Sequence, residues 1–214
     1  MENIARLSDT RVTLGGRTVL DHLDLTLTPG DCVGVAGPNG SGKTTLVRTL
    51  ATLQTISAGQ ARVLGSDPGD RRLTAVRRQI GLIGHQPSLI PELTLGENLH
   101  HLARLGGLGS DRVDNALDVV GLADASDRRA EACSFGMKRR VEIAHVLLIR
   151  PRLLLLDEAA SGLDETAREL VAAMLRSVRE RGGAAVMVSH DRSHLATHCD
   201  ALFALRSGRL EPVS

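Results

Sequence analysis

The residues Gly37-Pro38-Asn39-Gly40-Ser41-Gly42-Lys43-Thr44-Thr45 fit the pattern G-x-x-x-x-G-K-[ST], a loop built to hold phosphate. Glycines at 37, 40 and 42 let the backbone turn so that successive N–H groups face one anion, and the positive end of the following helix adds to that field. Lys43 has the charge and reach for the β- and γ-phosphates of a nucleoside triphosphate, and the Thr44 hydroxyl suits magnesium. A second group, Asp157-Glu158, stands more than a hundred residues on, at the end of the apolar run Leu153-Leu154-Leu155-Leu156. A nucleotide-bound magnesium needs an acidic ligand, and hydrolysis needs a base that polarises water. Two adjacent carboxylates divide those tasks, Asp157 toward the metal and Glu158 toward the water.

The elements around these groups must place them. Asp31 to Ala36 reads as a buried strand, and Leu46, Val47 and Leu50 mark one face of a helix, so the glycine loop has its strand-loop-helix setting. Leu23, Leu25 and Leu27 alternate with polar residues, which makes 4–28 an antiparallel edge closed by Pro29-Gly30. Short strands are predicted at 61–64 and 80–83, separated by a loop at 65–70 and a basic segment at 71–78. The middle of the chain changes character: Leu95, Leu99 and Leu102, then Val113, Leu117 and Val120, recur at helical spacing between glycine-rich joints. The final third returns to alternation, with helices at 137–149 and 167–178, strands at 152–156 and 184–188, and a hairpin at 201–211. The expected fold is therefore α/β: a phosphate-loop core with a mixed sheet, an N-terminal antiparallel β part, and a helical subdomain at about 87–150, all in one domain over 1–214.

Composition narrows the function. With 26 basic against 25 acidic residues in 214, no strong field favours nucleic acid or an anionic surface. No apolar run approaches the ~20 residues needed to cross a bilayer, and Met1-Glu2-Asn3 lacks the layout of a signal peptide. Cys32, Cys133 and Cys199 form no C-x-x-C pair and read as reduced thiols. Trp and Tyr are absent and Phe occurs only at 135 and 203, so a bound base has almost no ring to stack on. His190, His194 and His198 recur at i, i+4 and i+8 beside Cys199, a spacing for zinc, but His190 already has a place at a strand end. His100-His101 point about 100° apart on a helix and read as a solvated pair rather than a haem site.

The ordered set of motifs resembles the ATP-binding subunit of ABC transporters over essentially the whole chain. It comprises the loop 37–45, Gln86 in Gly84-His85-Gln86-Pro87, Cys133-Ser134-Phe135-Gly136-Met137-Lys138, Leu153 to Glu158, Ser161-Gly162-Leu163-Asp164 and Val188-Ser189-His190-Asp191. The resemblance implies that Gln86 touches magnesium and senses a membrane partner, that Ser134 and Gly136 form the signature segment, that Asp164 is the D-loop aspartate, and that His190 is the switch histidine beside the γ-phosphate. Ser134 and Gly136 open a helix with Val141, Ala144, His145 and Leu148 on one face, a second place for an anion. It further implies ATP and Mg2+ as cofactors, and Lys43, Gln86, Glu158 and His190 as the catalytic set. A head-to-tail homodimer or heterodimer is implied, beside separate polytopic transmembrane subunits, at the cytoplasmic face of the membrane. The signature departs from Leu-Ser-Gly-Gly-Gln at Cys133, Phe135 and Met137, Ala159 replaces a usual proline, and Leu14 stands where the family offers a ring to adenine.

The variant signature is similar to that of exporter-type ATPases. Gly84 to Pro87, Glu97-Asn98-Leu99 and the short length look similar to the ATP-binding subunit of the haem exporter of cytochrome c maturation, and multidrug or polysaccharide exporters share much of the pattern. A partner groove is expected along Gln86 and Pro87 to Leu99, with Leu89, Ile90, Leu93 and Leu95 as apolar contacts. Two other readings stay open: a soluble ATPase acting mechanically on a macromolecule, and a nucleotide-binding regulator that has lost hydrolysis.

Overall fold

The computed structural model describes residues 2–70, 73–109, 112–159 and 164–213. The expected Ser161-Gly162-Leu163 stretch and the first part of the basic segment lie outside them. The N-terminal alternation resolves into β1 (Ala5–Leu14) and β2 (Arg17–Leu27), which turn at Gly15-Gly16 and pair antiparallel, and β4 (Ala58–Val63) adds to the other side of β1. The second sheet runs β5-β6-β7-β3-β8-β9, from β5 (Ile80–Ile83), β6 (Leu153–Asp157), β7 (Ala184–Ser189), β3 (Cys32–Ala36), β8 (Ala201–Arg206) and β9 (Arg209–Val213). Every pairing in it is parallel except β8 with β9. Helices α1 (Lys43–Leu50) and α2 (Thr74–Arg77) precede β5. Then α3 (Leu95–Leu105), α4 (Val113–Val119) and α5 (Phe135–Ile149) precede β6, and α6 (Glu165–Glu180) and α7 (Arg192–His198) flank β7.

Strand residues alternate between two cores, as a sheet covered on both faces requires. Val33, Val35, Leu153, Leu155, Val186 and Val188 join α1 and the antiparallel sheet in one apolar cluster. Cys32, Ala36, Leu154, Leu156, Ala185 and Met187 join the residues of α3 to α7 in the other. The unbroken run Leu153–Leu156 is thus apolar because both of its faces are buried.

Register carries the consequence for the site. Asp157 lies across from Val188 on β7, and Val188 lies across from Val35 on β3. The chain following each of these three strands therefore emerges in one row at the same sheet edge, where open parallel sheets bind ligands. Residues 37–42, Glu158 and His190 are the first residues of those three connections.

Helix α7, which opens just past His190, is held by close approach to Gly34 in β3. A Cβ there would sit 2.5 Å from Leu202 Cδ2, 3.1 Å from Leu195 Cβ and 3.2 Å from Cys199 Sγ. Gly34→Val is expected to cost about 1–3 kcal/mol of unfolding free energy by overpacking, read from urea denaturation. A stability equal to that of the parent would mean that α7 does not depend on this contact.

Candidate active site

Gly37 can be nothing larger, because a Cβ would lie 2.6 Å from Ser41 Oγ and 2.9 Å from the Leu205 carbonyl. Gly42, the residue before α1, has φ 107°, a left-handed conformation that other residues rarely adopt. The loop thereby delivers Lys43 into a cleft of about 710 Å³, lined by Val19, Asn39, Gly40, Gly42, Lys43, Thr44, Thr45, His85, Asp157, Glu158 and His190. Lys43 is 7% exposed; its Nζ donates to the carbonyls of Gly37 (2.7 Å) and Pro38 (3.2 Å) and stands 3.6 Å from Glu158 Oε1. Lysine, loop and carboxylate form one buried charge system.

Glu158 has φ 52°, a left-handed backbone that costs a non-glycine residue energy and is found where a side chain must be aimed. Its N–H is fixed to the Val188 carbonyl at 2.9 Å. Glu158 Oε2 accepts from Ser189 Oγ at 3.0 Å and lies 3.0 Å from His190 Nδ1. The other oxygen, Oε1, is buried and makes no hydrogen bond. One carboxylate oxygen is thus clamped by hydrogen bonds while its twin has only the Lys43 charge at 3.6 Å and no hydrogen bond. Asp157 is 5% exposed, and burial foremost pushes its carboxyl above the usual range; the Glu158 charge adds to this, and a hydrogen bond with the Thr44 hydroxyl opposes it. A buried carboxylate beside a hydroxyl offers two hard oxygen donors, the chemistry that a divalent cation such as Mg2+ selects.

The remaining sequence-predicted residues divide. Ser134 caps α5 by accepting from Met137 N (3.2 Å), yet Ser134 is exposed and neither it nor Gly136 lines the cleft. Asp164 caps α6 by accepting from Ala167 N (2.9 Å), and it pairs with Arg140 of α5. Gln86 is exposed and does not line the cleft; its neighbour His85 does. Leu14 is 40% exposed at the hairpin end and also lies outside the lining, where Val19 provides an apolar contact instead. Of the expected partner contacts, Ile90 is 38% exposed, but Leu95 is fully buried in the core and offers nothing to a partner, because it is the first residue of α3 and faces inward. His190 precedes α7 and is bound to Glu158, so it shares no helix face with His194 and His198.

A structural tie that sequence reading missed links the loop around Gln86 to α5. Arg139, on α5, is 0% exposed; its guanidinium bonds Glu142 Oε2 at 2.6 Å and the His85 carbonyl at 2.9 Å. Glu142 Oε1 in turn accepts from Ser88 N at 2.9 Å. The two residues on either side of Gln86-Pro87 are therefore both held by one buried ion pair, and the guanidinium also lies 5.2 Å from the Phe135 ring. Burial works against both charges, pushing Glu142 up and Arg139 down. Asn98 fixes the next stretch, with its side chain bonded to both N–H and C=O of Ile90.

Comparison with known proteins gives the same picture. The family model described as ABC transporter matches residues 20–161. The Nod factor export ATP-binding protein I of Cupriavidus metallidurans is 33% identical over 213 residues, covering 98% of this chain and 70% of that protein. The Fe(3+) ions import ATP-binding protein FbpC of Photorhabdus laumondii is 31% identical, covering 98% and 60%. A dimeric ATP-binding cassette solved in a post-hydrolysis state with ADP and phosphate superposes with a TM-score of 0.85 at 26% identity, covering 97% of this chain and 96% of that one.

Two outcomes are expected here. Arg139→Leu should cost about 3–5 kcal/mol by leaving Glu142 buried and unpaired, while Arg139→Leu with Glu142→Leu recovers most of the loss; a denaturation cycle with additive losses would refute the tie. For Asp157 the folded-state carboxyl is raised above its unfolded value, so stability is fully present below the unfolded pKa and is lost as pH rises through the folded one. Asp157→Asn should therefore melt higher than the parent at neutral pH, with the gap closing in acid. A lower midpoint at neutral pH would contradict that sign.

Proposed function

The chain belongs to the ABC transporter family and is one of its ATPase domains, and from that premise we propose that it is the ATP-hydrolysing subunit of an exporter, working as a head-to-tail dimer beside separate membrane-spanning chains. The observation that carries the dimer is the position of Ser134. It opens a fifteen-residue helix whose first N–H groups suit an anion, yet it is exposed and stands outside the cleft that holds Lys43. Each chain thus offers half of two sites, and a second copy completes them.

In the proposed reaction the loop N–H groups wrap the phosphates of ATP, and Lys43 leaves the Gly37 and Pro38 carbonyls for the β- and γ-phosphate oxygens. Thr44 and Asp157 would hold Mg2+, and Gln86, exposed next to the cleft-lining His85, would be a further ligand. Bound magnesium supplies charge neutralisation on the phosphate oxygens. Glu158 Oε1 makes no hydrogen bond; once Lys43, 3.6 Å away, has turned to the phosphates, it accepts a hydrogen bond from the attacking water and takes its proton as the water oxygen bonds to the γ-phosphorus. The bond to the β–γ bridging oxygen breaks, giving ADP and phosphate. Ser189 and His190 keep the carboxylate aimed. Ser134 and Gly136 of the second copy meet the γ-phosphate from the far side, and Asp164, tied to Arg140, sits between the two sites.

Export is favoured over import by the Met137-Lys138 signature variant and by a relative named for Nod factor export. No described helix is long and apolar enough to cross a membrane, and the proposal places the spanning part in another polypeptide, with this chain at the cytoplasmic face. Haem for cytochrome c maturation is the cargo to be tested first, on the similarity of Gly84 to Pro87 and Glu97 to Leu99.

Glu158→Gln should bind ATP, hydrolyse it at least ~100-fold more slowly, and run as a dimer on gel filtration with ATP. Adding Ser134→Arg should return it to a monomer that still binds nucleotide. A Glu158→Gln protein that stays monomeric, or a double variant that still dimerises, would overturn the composite site. Affinity capture from membranes with the ATP-bound Glu158→Gln protein should recover a polytopic subunit; recovery of ribosomes or DNA-bound proteins instead would favour the mechanical ATPase.

A further inference from the structure

Cys32 and Cys199 meet in the core with their sulfurs 3.7 Å apart, although 167 positions separate them in the chain. Their backbones are already coupled. Asp200 N donates to the Cys32 carbonyl at 2.9 Å, and Cys32 N donates to Asp200 Oδ2 at 3.2 Å. Cys32 is the first residue of β3, and Cys199 caps the end of α7 two residues before β8, the strand paired with β3, so a short side-chain rotation can bring the two sulfurs into bonding range. Cys32 is fully buried, whereas Cys199 is partly open to solvent. Arg179 lies beside them, bonded to Asp200 Oδ2 at 2.7 Å and to the Gly30 carbonyl at 2.8 Å.

We propose that Cys32 and Cys199 are an oxidisable dithiol, a modification site at which hydrogen peroxide converts the pair into an intramolecular disulfide that thiols reverse. The partly exposed Cys199 sulfur attacks the peroxide; its S–H proton passes to the departing oxygen as the O–O bond breaks, which leaves Cys199 as a sulfenic acid and releases water. Next the Cys32 sulfur attacks the Cys199 sulfur; the S–S bond forms, the S–O bond breaks, and the departing hydroxide takes the Cys32 proton as water. Two thiols and one peroxide thereby give one disulfide and two waters, two electrons passing from sulfur to oxygen. Cys133 is not part of this. Its sulfur donates to the Arg129 carbonyl at 3.2 Å on the helical side of the molecule.

The bond would join the C-terminal end of α7 to the first residue of β3, the strand that runs into the phosphate loop. It therefore ties the segment following His190 to the segment preceding Gly37, from the opposite end of the sheet. Closing so long a loop in the native geometry limits the unfolded chain and should raise the melting midpoint.

The test treats the full chain, freed of reductant, with hydrogen peroxide and reads intact mass, thiol count in denaturant and a protease map. The expected result is a loss of two hydrogens, a fall from three titratable thiols to one, a peptide linking Cys32 to Cys199, a higher melting midpoint, and full reversal by dithiothreitol. Cys32→Ser should instead stop at a sulfenic acid on Cys199 that dimedone traps. Oxidation of Cys199 to sulfinic acid without a linked peptide, a link through Cys133, or an unchanged thiol count would overturn the proposal. So would a linked protein that melts no higher than the reduced one, since the bond would then form only by distorting the fold.

Discussion

The buried contact between Lys43 and Glu158 is the constraint on which the rest of the molecule depends. Charges of opposite sign are tolerated in a nearly dry place only when each has a partner, and here the partners come from three separate strands. Lys43 follows β3, Glu158 follows β6, and Ser189 and His190, which hold the other carboxylate oxygen, end and follow β7. A slip of one residue in the β6–β7 register would turn Asp157 and Glu158 to the wrong faces. The long apolar strands with both faces buried are what prevent that slip. Local energy is given up for aim at two points, the left-handed backbone of Glu158 and the buried Oε1, which has the Lys43 charge at 3.6 Å but accepts no hydrogen bond.

A second buried pair performs the corresponding service for the helical side. Arg139 and Glu142 lie on the signature helix, yet their outer bonds go to the backbone at His85 and Ser88. The loop that contains Gln86 is therefore mechanically continuous with the helix that Ser134 opens. A partner that shifted this loop would also shift the N-terminus offered to the second copy of the chain, and an ATP bound between two copies would pull on the loop in return. Reciprocity of that kind is what any coupling between two sites requires. Arg140 extends the continuity from α5 to Asp164 at the start of α6.

Much of this was readable from the sequence where the signal is local or strongly periodic. The glycine spacing of 37–42 and the apolar run before Asp157 follow from residue type and position alone. The strand Ile80–Ile83 matched its expected limits, whereas β4 begins earlier than expected because Ala58-Gly59-Gln60 carry no apolar alternation and are recruited by pairing with β1. What stayed hidden depends on distant packing. Arg139 reads as a solvated helix charge until β5 and its loop are laid against α5. His85 rather than Gln86 lines the cleft because of how the loop leaves β5, and no pattern distinguishes the two. Leu95 reads as an exposed contact only if the inward face of α3 is assigned wrongly. The approach of Cys32 to Cys199 arises from strand order, which a chain of alternating elements does not reveal.

The central claim is that one copy of this chain holds the fuel but cannot complete the site that burns it. The most direct measurement is the ATPase rate per subunit of the unaltered protein as its concentration is varied, with mass followed by light scattering over the same range. The account predicts that the rate per subunit is near zero where the protein is monomeric and rises with concentration to a plateau as ATP-bound dimers accumulate. A rate per subunit that is constant down to concentrations at which only monomer is present would contradict it.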